Sequence, residues 1–177
     1  MTRAAFCLLL ALLASSCEAK LHPSLIAVQS EIPSQESWRS RVIFSDSAQV
    51  KAILWAGHIA VYATGHYTML DDSVHVDFFN VRGEHASTLT ARKGRVDDLT
   101  DNFEAHENVV VVSDSGTTLR TDHLFWTNAD RSIHTDAFVD IVSPTEHISG
   151  MGMVSDEGLK KYKIFKVSGQ SVAKDLQ

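Results

Sequence analysis

Histidine has the widest chemical reach of the residue types here, and the chain of 177 residues carries 9 of them. Imidazoles gathered at ligand spacing would make a divalent metal site, and one beside a hydroxyl or carboxylate could act as a general base. His75, His85, His106, His123, His134 and His147 instead fall singly on separate segments, without a partner at ligand spacing. They are expected to be exposed strand histidines, with no metal and no cofactor. The paired carboxylates Asp71–Asp72 and Asp97–Asp98 lie between apolar segments and read as solvated turns rather than catalytic dyads. Trp126 beside Phe125 could stack a sugar, although a core aromatic is the commoner outcome. No G-x-S-x-G, H-E-x-x-H, C-x-x-C or G-x-x-x-x-G-K-[ST] occurs. No catalytic residue is singled out, and an enzyme is not expected.

The elements that carry these residues are short, β-branched and aromatic. "RVIFSD", "QVKAILWA", "HIAVYAT", "VHVDFF", "STLTA", "VVVVSD", "TLRTD", "SIHTD" and "KYKIFKV" are separated by Gly, Asp, Asn or Ser. The intervals are too short for helical crossovers, so an all-β, antiparallel sheet is expected. "VIFSDSAQVKA", "VVVVSDSGTTLRTD" and "GMVSDEGLKKY" share a plan of strand, Ser-Asp corner and strand, which suggests stacked hairpins in an elongated, folded-over sheet. "LRTD" and "IHTD" are read as further corners, where an Asp accepts backbone N–H groups.

Alternation assigns faces. Phe44, Ile53, Val76, Phe78, Val110, Val112, Leu119, Leu124, Trp126, Ile133, Val139 and Ile141 are expected to line one inward surface, together with Trp55. Leu54, Phe79 and Phe125 then point outward, so either the outer face is covered locally or the register slips at bulges. Periodicity alone favours an ordinary packed core on the inward side.

The start of the chain reads differently. "MTRAAFCLLLALLASSC" has the cation, apolar run and small residues of a secretory signal, assigned to residues 1–16. "LLASSC" also fits a lipobox, which would leave a lipid on Cys17; ordinary cleavage nearby is the alternative. Cys7 leaves with the signal, so no disulfide is expected. Residues 17–40 are polar and mixed and read as a tether, 41–169 as the β-domain and 170–177 as a tail. The formal charge of −6 becomes −7 once Arg3 is removed, which argues against nucleic acid as a partner.

The segment Glu107–Asp156 carries a more specific pattern: Asn108, Val109 and Val111; Gly116, Leu119, Thr121, Asp122, Leu124 and Trp126; Ile133, Thr135, Asp136, Val139 and Ile141; then Ile148, Gly150 and Gly152. This run closely resembles the LptC family, the periplasmic component of the lipopolysaccharide export machine, and the likeness extends from about Ser34 to Gly169. The resemblance implies an OstA-like β-jellyroll, a twisted sheet folded into an open groove that receives acyl chains. It implies lipopolysaccharide as the cargo, an inner-membrane ABC transporter whose permease subunits deliver it, and a periplasmic bridge protein of similar fold (LptA-like) that accepts it. The expected place is the periplasmic face of the inner membrane of a Gram-negative bacterium. The commonest form has an N-terminal membrane helix; here Cys17 would supply the anchor instead. Lys161, Lys163, Ile164, Phe165 and Val167, on the last strand, are the expected docking edge for the bridge protein. A surface or periplasmic lipoprotein binding glycan or protein, and a histidine-dependent metal carrier, stay open as other classes.

Overall fold

The computed structural model describes residues 31–172. The expected signal, Cys17, the first part of the tether and residues 173–177 of the tail lie outside them. The described residues form a single antiparallel sheet of ten strands and no helix. The strands are β1 (Gln35–Asp46), β2 (Gln49–Tyr62), β3 (Tyr67–Phe79), β4 (His85–Ala91), β5 (Lys93–Asp97), β6 (Asn102–Ser113), β7 (Thr118–Thr127), β8 (Ser132–Val142), β9 (Glu146–Asp156) and β10 (Tyr162–Val172). β1 therefore begins before Arg41, taking in the end of the expected tether, and β10 runs past Gly169. The order is β1-β2-β3-β4-β6-β7-β8-β9-β10; β5 continues the strand position of β4 between β3 and β6.

The three Ser-Asp pairs do mark corners. Ser45-Asp46, Ser113-Asp114 and Ser155-Asp156 end β1, β6 and β9. Asp156 accepts the Lys160 N–H at 2.8 Å, the local cap expected of it, whereas Asp46 takes the Ser47 hydroxyl at 3.0 Å and Asp114 faces His85 Nδ1 at 2.8 Å. Asp97 likewise caps its own turn by accepting from Leu99 and Thr100 at 3.1 and 2.9 Å.

The Thr-Asp pairs do not mark corners. Thr121-Asp122 and Thr135-Asp136 lie inside β7 and β8, at register shifts. They belong to a line of irregularities that runs across the sheet from β1 to β9. On the β1 side, Arg39 (φ 50°) stands beside the shift at Gly57, which faces Asp72 and Ser73 (φ 56° and 76°) in β3. The line continues through Arg92, between β4 and β5, whose N–H donates to the Glu107 carbonyl at 3.0 Å. Glu107 and Asn108 (φ 64° and 56°) interrupt β6 opposite Asp122, and Gly152 (φ 73°) interrupts β9 opposite Asp136. A β-bulge bends its strand and increases twist, so aligned bulges crease the whole sheet. Gly57 is held to glycine there, because a Cβ would sit 2.2 Å from the Asp72 carbonyl oxygen. Asp71 and Asp72 are thus crease residues within β3, not a turn between strands.

The creased sheet folds over its own inner face. β1 and β7 are five strand steps apart, about 24 Å across a flat sheet at ~4.8 Å per step. Yet the rings of Phe44 in β1 and Trp126 in β7 have centroids 6.1 Å apart. Phe78 in β3 reaches the same indole at 5.4 Å. The Ser87 hydroxyl of β4 donates to the Glu157 carbonyl in the β9–β10 turn, and Lys51 Nζ reaches Asn128 Oδ1 at 3.1 Å. β1 and β10 remain unpaired with each other, so the sheet is folded over but not closed.

Candidate functional site

The inward face is one continuous apolar surface contributed by β1 through β9. Phe44, Val76, Phe78, Leu119, Leu124, Trp126, Ile133, Val139 and Ile141 all belong to its buried cluster, as the alternation predicts. Ile53, Val110 and Val112 do not. Ile53 and Val110 are half-buried on the outer side and Val112 is 47 % exposed; Trp55 shares that outer face. The inward positions of those strands are Ala52, Leu54 and Ala56 in β2 and Val109 and Val111 in β6.

The physical reason is register. Phe44 pairs with Ala52 and Val42 with Leu54, so the inward Phe44 carries Ala52 and Leu54 with it. Ala52 lies between Phe44 and Phe78 in the ladder, where a larger inward side chain would overfill the space. Four successive valines, Val109 to Val112, have no period of their own. Their parity comes from partners, Leu119 opposite Val111 and Arg120 opposite Val110.

Side chains fill this interior. Leu54, Leu70, Val74, Leu89, Leu119, Leu124 and Ile133 have no exposed surface. The buried Trp126 Nε1 and Ser155 Oγ have no hydrogen-bond partner among the described residues. Glu157, in the β9–β10 turn, is 9 % exposed, and burial pushes its carboxyl above the ordinary value.

The outer face has a different organisation. His106 and His123, far apart in the chain, are directly opposed across β6 and β7. Their rings stack at 4.5 Å, His123 meets Phe125 edge-on at 4.2 Å, and Phe125 stacks on His134 at 5.1 Å. The expectation that these histidines stand singly is corrected by the sheet: spacing along the chain hides a pair that the register makes. Burial holds the His123 imidazole below its ordinary pKa, with the neighbouring His106 adding to the effect and Asp136 opposing it.

At the far edge, β10 pairs only with β9 among the described residues. Phe165 and Val167 are 59 % and 57 % exposed, Lys161 and Lys163 are exposed, and Ile164 packs partly against the core. Phe165 lies opposite the crease at Gly152, where an added Cβ would approach its ring to 2.9 Å. With Phe125, Met151 and Val154 it lines a surface hollow of about 740 Å³. Tyr162, at the start of β10, donates its hydroxyl to Glu146 at 2.7 Å, and burial, with that bond second, raises its pKa to about 12.

No curated protein matches the chain significantly. The family described as lipopolysaccharide-assembly, LptC-related, matches residues 4–171, nearly the whole chain. The all-β, unclosed sheet and the motif residues on its crease agree with that match. The chain belongs to the LptC family and is a component of lipopolysaccharide transport.

Proposed function

We propose that the inner face is an acyl-chain track on which the protein accepts lipopolysaccharide from the inner-membrane ABC transporter and passes it to a periplasmic bridge protein. The observation that carries this reading is the continuity of that apolar face from β1 to β9 in a sheet whose edges stay unjoined. Burying an acyl chain is worth about 0.8 kcal/mol per methylene, so exposing a dozen carbons costs on the order of 10 kcal/mol. A carrier must offer apolar contact throughout the transfer. Side-chain contacts such as Phe44–Trp126 join the facing parts of the fold, and acyl chains would replace them when those parts separate. The acidic balance of the chain leaves lipid phosphates outside, in solvent.

Cys17 is the lipid anchor in this reading, and the outer edge of β10 is the strand to which the bridge protein adds. An edge strand has unpaired backbone groups, and Lys161, Lys163 and Lys166 discourage indiscriminate pairing while leaving the backbone free for a chosen partner. Work is supplied by the transporter, and this chain acts as a non-enzymatic carrier.

Photo-crosslinkers placed singly in living cells test the assignment. Leu54, Phe78, Val111 and Leu124 should capture lipopolysaccharide, Ile53, Val110, Val112 and Arg120 should not, and Phe165 should capture a protein. Capture of lipid at Val110 and Arg120 but not at Val111 and Leu124 would place the track on the other face.

A further inference from the structure

We propose that Glu104, His106 and His123 form a binding site for a divalent transition-metal ion, zinc foremost, on the outer face of the sheet beside the crease. Glu104 and His106 share one side of β6, and His123 faces His106 from β7. Donor atoms of the three lie within 4.8 Å of one another. Zinc at about 2.0–2.1 Å from each nitrogen or oxygen would hold tetrahedral donors about 3.4 Å apart. The donors must therefore draw in by roughly 1.4 Å at most, which torsion of the partly exposed Glu104 and His106 side chains can supply.

A second observation points the same way. His123 Nε2 is buried and has no partner among the described residues. Its other nitrogen, Nδ1, faces the Asp136 carboxylate at 3.9 Å. Metal-bound imidazoles characteristically donate their second N–H to a carboxylate. The 3.9 Å separation is beyond hydrogen-bond reach, and a short rotation of the exposed Asp136 side chain would complete that bond and leave the opposite lone pair for the metal. Here that lone pair is on the unpartnered Nε2. A buried ring lone pair with neither a donor nor a metal is destabilising.

Nearby cations do not occupy the place. Lys93 Nζ is committed to Glu107 at 2.6 Å, and the Arg95 guanidinium lies 4.6 Å over the Tyr67 ring. Two imidazoles and one carboxylate suit zinc, copper or nickel and disfavour calcium and magnesium, which take oxygen donors. The ion would bridge β6 to β7 next to the Glu107–Asn108 bulge, where the ladder between them is interrupted. It would clamp the crease from outside without touching the inner face.

The test is calorimetric titration of the purified full chain, stripped with chelator, using zinc sulfate, with thermal denaturation in parallel. Wild type should bind one zinc, with a rise in Tm that chelator reverses. His106→Ala and His123→Ala should each lose at least about tenfold in affinity, and Asp136→Asn about tenfold, as loss of an orienting partner does. His75→Ala should bind like wild type. No binding at millimolar zinc overturns the site, as does equal affinity in wild type and His106→Ala. Should His123→Ala fail to fold, His106→Ala and Glu104→Gln decide the matter.

Discussion

β6, β7 and β8 present two faces built on different principles. Inward, Leu119, Leu124, Trp126 and Ile133 share one buried cluster with Phe44 and Phe78 from the folded-over part of the sheet, and Trp126 packs directly on both rings. Outward, His106 stacks on His123, His123 meets Phe125 edge-on and Phe125 stacks on His134, a row of half-buried and exposed rings. Volume and shape select the inner residues, because each must fit against another layer. Ring stacking and charge select the outer ones. A large apolar residue is therefore a poor guide to which way it faces: Ile53 and Trp55 lie outside, while Ala52 and Ala56 lie inside.

The sharpest way to break this comparison is to truncate neighbours on opposite faces of β7. Leu124→Ala removes a fully buried side chain and should cost about 2–5 kcal/mol. Phe125→Ala, one residue on, loses stacking against His123 and His134 and should cost about 1 kcal/mol. Denaturant unfolding of the two variants measures both. Equal losses would mean that the outer row carries as much of the fold as the core does.

Much of this architecture is legible in the residues alone, and the failures share a cause. The all-β class, the antiparallel order and the Ser-Asp corners follow from local composition, because turns are decided by the residues within them. The inward assignments of Leu119, Leu124, Trp126 and Ile133 follow from alternation within short, well-marked runs. The crease is a property of several strands at once, and alternation cannot see it. "LRTD" and "IHTD" resemble turns because bulges, like turns, favour residues that hydrogen-bond locally; Thr121 donates to the His123 carbonyl at 3.3 Å and Thr135 accepts the Ala137 N–H at 3.1 Å. The pairing of His106 with His123 depends on the same shift, and only an aligned register reveals it. Positive φ at Glu107 and Asn108 is a faint signal, since Asn tolerates that region while Glu does so rarely.

A smaller effect separates the buried side of the fold from the exposed one by pH. Burial raises the folded-state pKa of Glu157 above its ordinary value of 4.5. The folded protein thus holds this proton more tightly than the unfolded chain does, and the charged carboxylate is the disfavoured form. Stability should be greatest below the ordinary value, fall as pH rises toward the raised folded value, and stay reduced above it. Glu157→Gln should raise Tm at neutral pH and flatten that decline, while the exposed Asp114→Asn should leave it in place. A Glu157→Gln protein with an unchanged pH profile would mean that the carboxyl is solvated and the β9–β10 turn does not cover the interior.

The smallest stability change expected concerns Trp126, and it asks what the inner face is for. Its indole is 2 % exposed, and its N–H has no acceptor among the described residues. An unsatisfied buried donor costs about 1–3 kcal/mol, and Trp126→Phe removes that penalty. The same change removes ring atoms that pack on Phe44 and Phe78, and a void of that kind costs a comparable amount. The two contributions oppose each other, so the net change in unfolding free energy should stay within about 1 kcal/mol. Lipid capture should respond differently. Acyl ester carbonyls and hydroxyls are acceptors that an apolar track otherwise lacks, and the unpartnered Trp126 N–H would be a donor for one if the acyl chains reach the indole. Trp126→Phe should therefore lower the yield of lipopolysaccharide crosslinked at Phe78 while leaving Tm nearly unchanged. A large loss of stability would mean the indole serves the core alone; unchanged stability with undiminished capture would mean the lipid needs only the apolar surface.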